Sequence, residues 1–74
     1  MQENNSDVFE TADLGLAAFL LVKECKLLAA NREKSRYSFV FLDLDLCRKL
    51  ALEYVNSDFA KFDSSLKNLR NLIS

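Results

Sequence analysis

Nine consecutive residues, Leu14 to Val22, carry no polar or charged side chain, and any fold of this chain has to house them. The segment is too short to span a bilayer, which takes about 20 residues. The residues before it are acidic (Glu3, Asp7, Glu10, Asp13), the wrong sign for a secretory leader. The expectation is a helix within a cytoplasmic protein that has no membrane partner. At about 100° per residue, Leu14, Ala17, Ala18 and Leu21 share one face of that helix, and Leu16, Phe19 and Leu20 lie roughly opposite.

A two-sided apolar helix is demanding in a chain of 74 residues. There is room for one domain, and a domain of that size buries only about 60% of its unfolded surface. A helix lying on a small sheet hides one face in its own chain; the other must meet a further helix or a second subunit. Each large apolar side chain left in water forfeits about 1.5–3 kcal/mol, and a few such losses rival the whole stability of a small domain. Two-fold homodimers are the commonest assembly. The sequence therefore predicts a non-enzymatic interaction module, a homo-oligomer whose partner interface is Leu16, Phe19 and Leu20. Leu52, which lies off the apolar stripe of its own helix, is a smaller signal of the same kind.

The remaining pattern gives the fold class. Residues 1–10 are polar and acidic and are predicted to form a flexible tail, with docking of Val8 and Phe9 on the body as the alternative, and 11–74 as a single α+β domain. Thr11 is the expected N-cap of a helix from Ala12 to Glu24, with Asp13 in its first turn. Strands are predicted at Lys26–Asn31 and Arg36–Leu42, joined through Arg32-Glu33-Lys34-Ser35 as an antiparallel β-hairpin. In the second strand Tyr37, Phe39 and Phe41 alternate with Ser38, Val40 and Leu42. Both faces are largely apolar, so helices are expected to cover much of the sheet. Asp43 or Asp45 caps a second helix, Leu44–Ser57, with a stripe of Leu46, Cys47, Leu50, Ala51, Tyr54 and Val55. The segment Phe59–Phe62 fits either a helical turn or a short third strand. Asp63 is the expected N-cap of a last helix, Ser64–Ile73, with Leu66, Leu69 and Ile73 inward.

Several of these features occur together: Thr11-Ala12-Asp13-Leu14 leading into Leu16-Ala17-Ala18-Phe19-Leu20, then Lys26-Leu27-Leu28, the strand Phe39-Val40-Phe41, Tyr54-Val55-Asn56, and the closing run Leu66 to Ile73. In this combination the chain resembles a small single-domain family of unknown function from prokaryotic and phage genomes. The resemblance spans about residues 10 to 73. It implies a stand-alone module, from a phage or mobile element, and brings no catalytic residues. The family places Gly after the first helix, as a helix-ending residue with positive φ, where this chain has Glu24. Because a side chain is penalised in that conformation, the first helix is expected to run a residue or two further here.

Little in the sequence points to chemistry. There is no His, so the usual general base and the commonest metal ligand are missing. Cys25 and Cys47 do not form a CxxC pair and are expected to be reduced, half-buried thiols. The run Phe39-Val40-Phe41-Leu42-Asp43-Leu44-Asp45 resembles the strand-DxD start of haloacid-dehalogenase-type phosphatases and primase-polymerase nucleotidyltransferases, where carboxylates hold Mg²⁺. Here Leu46-Cys47 follows instead of Gly-Thr, and a helix cap with an acid in the first turn explains both aspartates. No catalytic residue, metal or cofactor is therefore assigned.

Lys+Arg is 10 and Asp+Glu is 11, a balance unlike that of a strongly basic nucleic-acid binder. Four of the acids precede Leu14, however, so the body carries 10 bases against 7 acids. Arg32, Lys34 and Arg36 at the hairpin tip, beside Tyr37, make nucleic acid an alternative partner, contacted through phosphates; Lys61, Lys67 and Arg70 could extend that patch. A third reading, encouraged by the small size and acidic start, is a phage-type inhibitor that binds a host protein.

Overall fold

The computed structural model describes residues 7–73. In chain order the elements are β1 (Val8–Thr11), α1 (Leu14–Val22), β2 (Leu27–Glu33), β3 (Arg36–Leu42), α2 (Leu44–Val55) and α3 (Asp58–Ile73). The strands form one antiparallel sheet in the order β1-β3-β2. The fold is α+β, as the sequence predicts, with a three-stranded sheet and three helices.

The third strand is not Phe59–Phe62. Those residues are the first turns of α3, which begins at Asp58 and so runs six residues ahead of its predicted start. Ser57 Oγ accepts from the Ala60 N–H at 3.4 Å, the local bond of an N-cap; Asp63, the predicted cap, lies within the helix. The third strand is β1, which pairs Val8 with Leu42 and Thr11 with Phe39. Residues 8–10 thus belong to the folded body, with Phe9 docked on the core, while residues 1–6 of the predicted tail lie outside the described residues.

Pairing sets the faces. Phe9 stands opposite Phe41, Thr11 and Ala30 opposite Phe39, and Leu27 opposite Phe41, so these side chains share one side of the sheet. A bulge between Leu27 and Ala29 shifts the register of β2. Phe41 is fully buried and packs with Leu16, Ala17, Phe19 and Leu20 of α1 and Cys47, Leu50 and Tyr54 of α2; Phe9 and Phe39 flank it. Helices cover this side alone. The molecule measures 52 × 30 × 14 Å, a depth that fits one helix layer against a sheet and no second. The expectation of a largely covered sheet is corrected accordingly: the face bearing Glu10, Ser38 and Val40 is open.

The helix ends explain the boundaries. Asp13, not Thr11, caps α1, its carboxylate accepting from the Leu16 N–H at 3.2 Å; Thr11 Oγ1 accepts from the Asp13 N–H instead. At the other end the Cys25 N–H donates to Leu20 O and the Glu24 N–H to Leu21 O, the paired bonds of a Schellman motif. Glu24 has φ 66°, so it adopts the left-handed turn itself. The helix stops at Val22, and the extension expected from the missing Gly does not occur. Asp43 caps α2 by accepting from the Leu46 N–H at 3.1 Å, with Asp45 in the first turn. Both aspartates thus serve the helix end.

Gly15, the only glycine of the chain, lies inside α1. A β-carbon there would collide with Tyr54 Oη and stand 2.8 Å from Asp63 Oδ2. Here glycine allows α2 and α3 to approach α1 closely, while the left-handed positions are filled by Glu24, Lys34 and Asp43.

Candidate interaction surface

The two faces of α1 have opposite fates, and the prediction had them reversed. Leu16, Phe19 and Leu20 are buried within their own chain. They cover Phe41 and cannot also meet a partner. The face left in water carries Leu14, Ala18, Leu21 and Val22, with Val22 67% exposed, while Ala17, placed on that face by the 100° spacing, is buried with Leu16 and Leu20. Nothing in the sequence could separate the faces, because both are apolar.

α3 extends this surface. Phe59, Phe62, Leu66, Leu69 and Ile73 recur at steps of three and four, the a and d positions of a heptad, with Leu72 beside the stripe. An amphipathic helix normally turns such a stripe to the core. Here none of the sixteen residues is buried. α3 leans on α1 and α2 through Ala60, which packs on the core, and Asp63, which abuts Gly15. The apolar stripe is rotated roughly a quarter turn from that contact. Phe59 keeps one anchor, its ring 5.6 Å from that of Phe19; Phe62 remains 66% exposed and Ile73 87%.

Between the helices runs an apolar groove of about 300 Å³. Gly15, Ala18 and Val22 form one wall, Phe59, Phe62 and Leu66 the other, and Phe19, Tyr54 and Asp63 the floor. Burial, reinforced by the Asp63 and Asp13 carboxylates and by a hydrogen bond to Asp63, raises the Tyr54 hydroxyl above its usual value of 10. Asp63 also pairs with Lys67 at 3.1 Å. Tyr54, Asp63 and Lys67 are thus linked to one another at the floor. Heptad spacing across 59–73 was the signal that could have revealed this surface; starting the last helix at Ser64 hid it.

The other predicted residues are scattered. Leu52 is exposed on α2 and does not line the groove. At the hairpin, Lys34 and Ser35 form the turn. Arg32 and Tyr37 pair and share a face, the guanidinium carbon 5.7 Å from the ring centroid, and Tyr37 in turn stacks on Phe39 at 6.1 Å. Arg36 points with Glu33 to the opposite face, where Ser38 Oγ donates to Glu10 Oε2 at 2.6 Å. Lys61, Lys67 and Arg70 are carried by α3, which rests on α1 and α2 and not on the hairpin. Lys61 lies 3.9 Å from Asp58.

The two thiols are buried and unbridged. Cys47 donates to Leu42 O at 3.5 Å. Burial first, then the adjacent Cys25 and Asp43, push its pKa from 9 up to about 11. Among the described residues no three His, Cys, Asp or Glu side chains are grouped to hold a metal, and no helix is long and apolar enough to cross a membrane.

A family of small domains matches this chain over residues 6–74. The chain belongs to DUF5659, a domain of unknown function. No curated protein and no solved structure matches it. The DUF5659 match covers the whole folded body, including β1 and α3.

Proposed function

We propose that this DUF5659 domain is a binding module that self-associates through the outer face of α1 and the apolar stripe of α3. The observation that carries the reading is an amphipathic helix of sixteen residues with no buried member, set beside a second exposed apolar helix face. Together the exposed side chains present on the order of 1,000 Å² per copy. That exceeds the roughly 300–600 Å² of the largest patch on a typical monomer and matches the roughly 800 Å² per partner of a standard interface. Sedimentation velocity across micromolar concentrations tests it. A concentration-dependent shift from monomer to dimer, abolished by Leu69→Asp, is the expected result. A folded monomer at every concentration refutes it, and a monomer that instead captures another protein on the same face assigns the surface to a different partner.

A second reading has its own observation. Arg32 is stacked on Tyr37, and Tyr37 on Phe39, in a ladder near the hairpin tip. A stacked guanidinium beside an exposed ring is a fitting site for a single-stranded base and its phosphate. Binding to single-stranded DNA or RNA that weakens with salt, and weakens again when Arg32, Lys34 and Arg36 become Ala, is its expected signature. No binding at low salt ends this reading.

A further inference from the structure

Resting on self-association as just proposed, the geometry points to one arrangement: we infer that two copies pair their α3 helices antiparallel, the C-terminal half of each filling the groove of the other. The surface is concave at one end and convex at the other. The groove lies along the first half of α3, where Phe62 and Leu66 face Ala18 and Val22 of α1. The second half, with Leu69, Leu72 and Ile73, is the most exposed apolar part of the helix, at 58%, 79% and 87%. A two-fold contact is self-complementary: if residue i of one copy meets j of the other, j meets i. Antiparallel pairing satisfies that by setting ridge into groove twice. Parallel pairing sets groove against groove and leaves both unfilled.

Heptad positions fix the register. In an antiparallel pair an a residue of one helix faces a d residue of the other. Leu66 then meets the partner's Leu69, and Phe62 meets the partner's Ile73. All four residues of the exposed seam beyond Phe59 are covered, while Phe59 stays on Phe19.

Charge agrees. The first half of α3, with Asp58, Lys61 and Asp63, carries two acids against one base, and the second half carries Lys67 and Arg70 with no acid. Antiparallel pairing brings Arg70 of each copy alongside the acidic half of the other. Parallel pairing would set Asp58, at a g position, beside the partner's Asp63, at e, a like-charge cost.

Cysteine trapping tests the arrangement. Phe62→Cys and Ile73→Cys variants, singly and mixed, are exposed to glutathione disulfide. Two thiols then give one disulfide, and the oxidant is reduced to two glutathione thiols. The wild-type chain, whose own thiols are buried, is the background. The expected result is a covalent heterodimer in the mixture at a yield about tenfold above either variant alone. Self-linking of Ile73→Cys that exceeds the mixed product overturns the antiparallel pairing while leaving self-association intact. A monomer in sedimentation removes both. Should Phe62→Cys fail to fold, Arg70→Glu on the exposed half supplies the second measurement. It is expected to weaken the dimer about threefold to tenfold at low salt, and an unchanged dissociation constant counts against the charge pairing and this register.

Discussion

Glu24 holds a left-handed conformation at φ 66° that costs a side-chain-bearing residue about 1–2 kcal/mol. Glu24→Gly is therefore expected to stabilise the protein by about 1 kcal/mol, read as a higher urea midpoint at unchanged slope. Gly15→Ala has the opposite sign. In an open helix the change gains about 0.5–1 kcal/mol, but here the new methyl meets Tyr54 Oη and Asp63. The Tyr54 ring is buried with its centroid 5.4 Å from that of Phe19 and has little room to yield. A net loss of about 1–3 kcal/mol is expected, with part of it recovered in the double variant Gly15→Ala/Tyr54→Phe. A third residue-scale outcome concerns alkali. Cys47 titrates near 9 when unfolded and near 11 in the native state, so above about pH 9 the unfolded chain loses this proton first. Stability is full below pH 9 and falls as pH rises towards 11, with Tyr54 acting in the same sense above 10. Denaturant midpoints at pH 8 and pH 10.5 check the sign. Capping was legible at this scale, since Asp43 needs only its own neighbours. Gly15 was not, because its reason lies far along the chain, in Tyr54 and Asp63.

At the scale of elements, periodicity decided what could be read. β3 alternates cleanly and has the predicted bounds, Arg36–Leu42. β1 spans four residues, too few to show a period, and its partner is the far-off β3. α1 is apolar on every side, so its existence could be read but not its orientation. That orientation yields a paired prediction. Leu20→Ala removes a fully buried side chain and is expected to cost about 2–5 kcal/mol, enough to threaten a cooperative thermal transition. Leu21→Ser, one residue on and half-exposed, is expected to change monomer stability by about 0.5 kcal/mol or less while weakening self-association. Circular dichroism melts and sedimentation on the same two variants separate the roles. If Leu21→Ser unfolds the chain, the assignment of the faces is wrong.

Taken whole, the molecule is a thin slab with aromatic packing on one side of its sheet and an uncovered apolar seam along its helices. A chain this small has little stability to spare, and burial of the seam would add to it by mass action. The thermal midpoint should accordingly rise with protein concentration in the wild type and stay constant in Leu69→Asp. The strand order has a further consequence. β2 and β3 are joined by a two-residue turn, whereas β1 reaches its place beside β3 only after the chain has passed through α1 and β2. The hairpin can form locally, but β1 must close a long loop for four residues of ladder and one aromatic anchor, Phe9. Residues 8–11 are thus expected to join the sheet after the hairpin has formed and to leave it before the hairpin opens on warming. Amide hydrogens there should exchange ahead of those in the hairpin, so that Phe9 detaches and bares one flank of Phe41 while the rest of the sheet is still intact.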